Sequence, residues 1–206
     1  MTVAVRKARR ASGAPAQLRL AGIDAAPLPL DHLFFAIFPE MGTAERVARL
    51  APQWRAEHGL RGNLIDTERL HVTLLSVGNY AGLPQAVVDL ASYVAATVAM
   101  PPFEVSFDSV MSFKGGPFVL RGSNNAPALM ALKALRRELA FAMNKAGLPC
   151  AAESNYTPHL TLLYGDKLIP EQVVETVSWT VREFVLVHSL QSQHLHLHLK
   201  RWPLRD

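Results

Sequence analysis

His71-Val72-Thr73-Leu74 and His159-Leu160-Thr161-Leu162 are the two stretches on which the reading of this chain turns. Each runs His, apolar, Thr, apolar, and each lies in a short β-prone segment closed by a turn, Gly78-Asn79 in one case and Gly165-Asp166 in the other. Side chains alternate faces along a strand. Val72, Leu74, Leu160 and Leu162 are therefore expected in a core, with His71, Thr73, His159 and Thr161 on the opposite face.

Working outward, each stretch closes a similar order of elements. His32 to Phe38 is a short aromatic strand stopped by Pro39, followed by a helix from Thr43 to about His58 with Ala44, Val47, Ala48 and Leu50 at helical spacing. In the second half, Phe118 to Arg121 is a strand, and Pro127 to Lys145 is a helix with Leu129, Leu132, Leu135 and Leu139 stacked three or four apart. Phe35 precedes His71 by 36 residues and Val119 precedes His159 by 40, a weak internal duplication. Pro84 to Val98 reads as a further helix and Phe103 to Phe113 as a half-exposed strand. Pro170 to Val177 reads as a short helix, and Trp179 to Leu190 and His194 to Trp202 as paired strands. Strands and helices mix without the strict alternation of a doubly wound parallel sheet. The expected fold is α+β and bilobal: two pseudo-symmetric lobes, each an antiparallel sheet with helices on its outer face, and a cleft between them. If a pseudo-two-fold axis relates the lobes, the two His-Thr pairs face each other across that cleft.

The 206 residues suit one compact domain, and with half of them apolar the chain can bury a core. Apolar runs are soon interrupted by charge, Gly or Pro, so no transmembrane helix is expected. One cysteine, Cys150, excludes an intramolecular disulfide and a thiolate metal cluster, and reads as structural. The net charge of +4 belongs to residues 1–30, where Arg6, Lys7, Arg9, Arg10 and Arg19 face Asp24 alone. The other 176 residues carry 16 basic and 16 acidic side chains and have no excess charge with which to grip a long phosphate backbone. Residues 1–30, rich in Ala, Pro and Arg, read as a solvated basic tail, and residues 31–206 as the folded domain. An organelle transit peptide would share the tail's composition, but a secretory signal would not. The expected location is cytoplasmic.

Two imidazoles facing one another suit acid and base work near neutral pH. Two threonine hydroxyls between them can donate to anionic oxygens. That set fits phosphoryl transfer better than acyl transfer, because no Ser or Cys stands in a nucleophile motif. No acidic cluster suggests a two-metal site. Cleavage without metal calls for a good built-in nucleophile or an activated, strained ester, and a 2′,3′-cyclic phosphate is such an ester.

The paired motifs, His71-Val72-Thr73-Leu74 and Pro158-His159-Leu160-Thr161-Leu162, resemble those of the two-histidine phosphoesterase superfamily, most closely its RNA 2′,3′-cyclic phosphodiesterases, also called 2′-5′ RNA ligases. Leu33 to Ile37, Glu183 to Ser189 and Arg201 to Leu204 are also similar to that family. The resemblance implies a bilobal fold and metal-independent hydrolysis of an RNA-terminal 2′,3′-cyclic phosphate to a 2′-phosphate, with 2′-5′ ligation as the reverse reaction. It implies His71 as general acid, His159 as general base, and Thr73 and Thr161 as the phosphate-binding pair. It calls for no cofactor, metal or membrane; the partners are RNA ends or cyclic nucleotides, and the chain is expected to be monomeric. One position departs from the pattern: five residues past His159, where several family members carry Arg, stands Tyr164. Tyr164 can donate a hydrogen bond, stack on a base, or simply pack on its own lobe. Two other readings remain open, a cyclic phosphodiesterase for a small nucleotide and an RNA-end binding module without turnover.

His194, His196 and His198 alternate with Leu195, Leu197 and Leu199. Residues two apart on a strand lie about 7 Å apart, too far for all three imidazoles to reach one zinc ion easily. The expectation is a histidine-decorated strand face with the leucines in the core. His32 and His188 have no partner in sequence, and His58 suits a helix end.

Overall fold

The computed structural model describes residues 31–122, 127–150 and 156–205. The expected tail, residues 1–30, lies outside them. The elements run β1 (Asp31–Ile37), α1 (Met41–Glu57), β2 (Val72–Tyr80), α2 (Gln85–Ala95), β3 (Phe103–Ser112), β4 (Pro117–Arg121), α3 (Pro127–Lys145), β5 (His159–Tyr164), β6 (Gln172–Val181), β7 (Glu183–Leu190) and β8 (Leu195–Pro203). Short 3-10 turns occupy Thr67–Arg69 and Gln191–Gln193. Among the described residues no helix is long and apolar enough to cross a membrane.

The fold is α+β, but its two halves are not separate sheets. All eight strands form one antiparallel sheet in the order β6-β3-β4-β5-β2-β1-β7-β8. Four strands lie on each side of a central seam, where β2 meets β5 through a single residue pair, Val72 with Leu160. The seam therefore falls at the second residue of each motif. Beyond that pair the strands part, and the chain before β2 fills the gap. The Ile65 N–H donates to the Leu162 carbonyl (2.8 Å), and Leu64 bridges Leu163. Gly62 makes this approach possible: its φ is 126°, and a Cβ there would stand 2.3 Å from the Tyr164 carbonyl oxygen. The sheet halves also exchange sequence, because β3 joins the second half while β7 and β8 return to flank β1.

The helices lie on one face of the sheet. Val47 and Trp54 of α1, Ala91 of α2 and Leu132 and Leu139 of α3 share one core with Phe35, Leu74, Phe107, Phe118 and Leu160 from the strands. α1 crosses toward the opposite half, where Arg46 pairs with Glu175 of β6 (2.6 Å) and the His58 ring meets Phe118 of β4. The other face of the sheet carries a smaller apolar cluster, Phe34, Ala36, Val185 and Val187, with Phe38 against it.

Three local expectations are corrected. Residues 172–181 form a strand instead of the helix expected over Pro170–Val177. Val173, Val174, Thr176 and Val177 are β-branched, which costs a helix χ1 freedom and suits a pleated surface, and from Val177 the burial alternates at the strand period. The single strand expected from Trp179 to Leu190 is the end of β6 plus β7, broken at Arg182. Leu195, Leu197 and Leu199 are not core residues; they are 43%, 40% and 38% exposed. β8 is the outermost strand, so its leucines lack the second layer that covers the inner strands.

Candidate active site

Both motifs carry the same irregularity. Opposite β1, Leu74 is an extra residue in β2, since Phe35 pairs with Leu75 while Ala36 pairs with Thr73. Opposite β4, Leu162 is an extra residue in β5, since Phe118 pairs with Leu163 while Val119 pairs with Thr161. Each bulge lets two successive leucines bury, Leu74 with Leu75 and Leu162 with Leu163. It also returns the next residue to the helix-free face. That residue is Ser76 in one half and Tyr164 in the other, the latter 65% exposed.

On that face lies a cleft of about 380 Å³ lined by both motifs, with His71, Thr73, His159, Thr161 and Tyr164 in its wall. The two histidines are held alike. The Nδ1 of His71 lies 2.6 Å from the carbonyl oxygen of Arg69, and the Nδ1 of His159 lies 2.8 Å from that of Thr157, in each case two residues upstream. A carbonyl can only accept, so each Nδ1 carries the proton and each neutral ring offers a bare Nε2 as base. With Nδ1 held by the backbone, Nε2 is the ring nitrogen left to act in the cleft that both rings line. The ring of His71 packs among Phe34, Phe38 and His196, with centroids 5.2, 5.8 and 5.0 Å away. The ring of His159 meets the Phe113 face edge-on.

These surroundings set the protonation. Burial carries His71 down to about 4, against the opposing pull of its hydrogen bond to the Arg69 carbonyl, with the charges of His159, Arg69 and His32 adding to the fall. Burial also lowers His159, again opposed by its carbonyl partner and helped by the Arg121 guanidinium. Arg121 stands across from His159 in the β4–β5 ladder and lies 3.7 Å from Glu171. Both imidazoles are therefore neutral near pH 7.

Several cleft residues escaped the sequence reading. Arg69, two residues before His71, shares its wall, as do Phe34 and His196. Arg69 lies in the Thr67–Arg69 3-10 turn, ahead of β2, where strand alternation gives no signal. His196 is pushed down to about 3 by burial and by His71, and its Nδ1 is buried without a hydrogen-bond partner among the described residues. His194 also lines the cleft, whereas His198 packs on Phe38. Among the described residues no group of three His, Cys, Asp or Glu is arranged to hold a metal ion. His32 and His188 gain partners that the sequence did not show. The Nε2 of His32 lies 2.9 Å from the Ser76 hydroxyl, and that of His188 lies 2.6 Å from a carboxylate oxygen of Asp31.

The family model for the 2′-5′ RNA ligase superfamily matches residues 39–193. The chain belongs to that superfamily, which is one of two-histidine phosphoesterases. Among solved structures it is similar to LigT of E. coli complexed with 3′-AMP, at 25% identity and a TM-score of 0.69, over 85% of this chain and 99% of that one. LigT complexed with phosphate matches at 25% identity and a TM-score of 0.64, over 85% and 98% of the two chains. A protein of Thermus thermophilus, TT0787, shares the fold at 16% identity and a TM-score of 0.64, over 85% and 98%. No match was found among curated proteins.

Proposed function

We propose that the protein hydrolyses a terminal 2′,3′-cyclic phosphate of RNA to a 2′-phosphate, with His159 as general base and His71 as general acid. The observation that carries this reading is the duplicated imidazole anchor: two rings in the wall of one cleft, each with Nδ1 tied to its own backbone. Water attacks phosphorus while the Nε2 of His159 takes its proton. The P–O3′ bond breaks and the Nε2 of His71 gives O3′ its proton, leaving a 2′-phosphate and a free 3′ hydroxyl. Thr73 and Thr161 donate to the non-bridging oxygens as charge builds on them.

The neutral state of the two imidazoles gives the substrate a part in its own activation. An anionic phosphate between two depressed imidazoles raises their proton affinity, so binding helps load the acid. Ring strain in the cyclic ester supplies the driving force that would otherwise be asked of a Lewis acid. The similarity to LigT complexed with 3′-AMP supports a nucleotide ligand, since 3′-AMP carries its phosphate on one of the two ribose oxygens that a 2′,3′-cyclic phosphate bridges. The reverse reaction would join RNA ends through a 2′-5′ linkage with the same two histidines.

The test offers the purified protein 2′,3′-cyclic mononucleotides and cyclic-ended oligonucleotides in EDTA and locates the phosphate in the product. A 2′-phosphate is expected. A 3′-phosphate product would reverse the leaving oxygen, and no turnover of any cyclic phosphate would end the proposal.

A further inference from the structure

A second cavity, of about 500 Å³, opens beside the catalytic cleft, walled by the chain that fills the seam, Asn63 to Asp66. Ile65, Arg69, Tyr164 and His194 line both cavities and so mark the passage between them. Two of these four side chains suit a nucleic acid. The Nε of Arg69 is buried and has no hydrogen-bond partner among the described residues, a position that costs free energy until an acceptor arrives. Tyr164 is largely exposed and shares that passage.

We infer that this second cavity binds the nucleotide preceding the cyclic end, so that the preferred substrate is an RNA oligonucleotide and not a cyclic mononucleotide. This inference rests on the phosphodiesterase reading above and names its substrate class. A chain with its terminal cyclic phosphate between His71 and His159 and its preceding residue in the second cavity must pass its linking phosphodiester through the junction. Arg69 stands there, and its guanidinium pairs with that phosphodiester by charge-assisted hydrogen bonds. Tyr164 stacks on the preceding base, which every base permits because each has a π face. The carboxylate of Asp66, also in the wall of the second cavity, does not suit a further phosphate and instead accepts from ribose hydroxyls or base amino groups.

The experiment compares kcat/KM for a 2′,3′-cyclic mononucleotide and for a dinucleotide with the same cyclic terminal residue, in wild type, Arg69→Gln, Arg69→Lys and Tyr164→Ala. The wild type is expected to prefer the dinucleotide by about tenfold or more, the usual worth of one stacked base and one charge-assisted contact. Arg69→Gln and Tyr164→Ala should each remove most of that preference, chiefly through KM, and Arg69→Lys should restore part of the loss seen in Arg69→Gln. Equal turnover of the two substrates by the wild type would overturn the inference while leaving the phosphodiesterase reading intact. So would equal losses on both substrates in the soluble, folded variants. Failure of the wild type to turn over either substrate would end the phosphodiesterase reading itself, and this inference with it. Tyr164→Ala alters an exposed side chain, so it decides the matter if Arg69→Gln does not fold.

Discussion

The hydroxyl of Tyr156 donates to the carbonyl oxygen of Thr73 at 2.7 Å, tying the approach to β5 directly to the middle of the first motif. The next residue, Thr157, holds His159 by its own carbonyl. The Arg136 guanidinium from α3 covers the Tyr156 ring at 4.5 Å, and burial raises the phenol's pKa well above its ordinary value, so the hydroxyl keeps its proton. Tyr156 is therefore a fixed strut between the two histidine anchors.

Tyr156→Phe removes that strut while keeping the ring. The expected cost in stability is about 1 kcal/mol, the net worth of one internal hydrogen bond. A fall in kcat larger than that in stability should accompany it, because the distance between the imidazoles is no longer fixed. Thermal unfolding and steady-state kinetics on one preparation check both; an unchanged kcat would show the strut to be structural only.

His71→Ala and His159→Ala should each lower kcat by about 10² to 10⁴, the usual contribution of a positioned acid or base. The double variant should lose little beyond the worse single one, since the two act in one step. Circular dichroism confirms folding.

Thr73→Val and Thr161→Val replace a hydroxyl by a methyl of similar shape. Each should lower kcat by about tenfold to a hundredfold, less than loss of a histidine, because one donor to a developing oxyanion is missing. Binding of a product 2′-nucleotide, measured by calorimetry, should weaken in parallel.

The rate should have an unusual pH dependence. His71 and His159 are both depressed, and the free enzyme must hold one proton between them. The optimum of kcat/KM should therefore lie below about pH 6.5, the ordinary imidazole value. The bound anion raises both groups, so the alkaline limb of kcat should lie at higher pH than that of kcat/KM. Coincident limbs would place the phosphate away from the imidazoles.

Acid should unfold the protein in two stages. His71 is lowered in the folded state, so below pH 6.5 the unfolded chain takes up the proton first, and stability falls as pH drops from 6.5 toward 4. Asp31 is also lowered, by its hydrogen bonds to His188 and to the Gly82 N–H. Its contribution is present above the ordinary carboxylate value and is lost as pH falls through the folded one. Urea midpoints across about pH 3 to 8 should show the first loss reduced in His71→Gln and the second in Asp31→Asn.

Much of this arrangement was legible in the sequence, because local pattern and tertiary outcome agree there. Val72, Leu74, Leu160 and Leu162 are buried as alternation requires, and α3 spans the predicted residues, Pro127 to Lys145. The reading failed where the outcome depends on a neighbour. A proline start outweighed β-branched composition at residues 170–177, and only pairing with β3 decides for the strand. Leu195, Leu197 and Leu199 alternate like core residues, but alternation cannot show whether a layer exists to cover them. The bulges at Leu74 and Leu162 leave only the doublets Leu74-Leu75 and Leu162-Leu163 as a trace in the period, and the ladder shows how they turn Tyr164 to the cleft. Arg69 and His196 were missed because a side chain's wall in a cleft is set by packing across the seam.

The two sheet halves meet in one residue pair, Val72 with Leu160, and each member of that pair sits between a His and a Thr of its motif. This places the reacting groups beside the axle of any rocking between the halves. A small rotation there swings the outlying strands β6 and β8 through a long arc, while the imidazoles barely change separation.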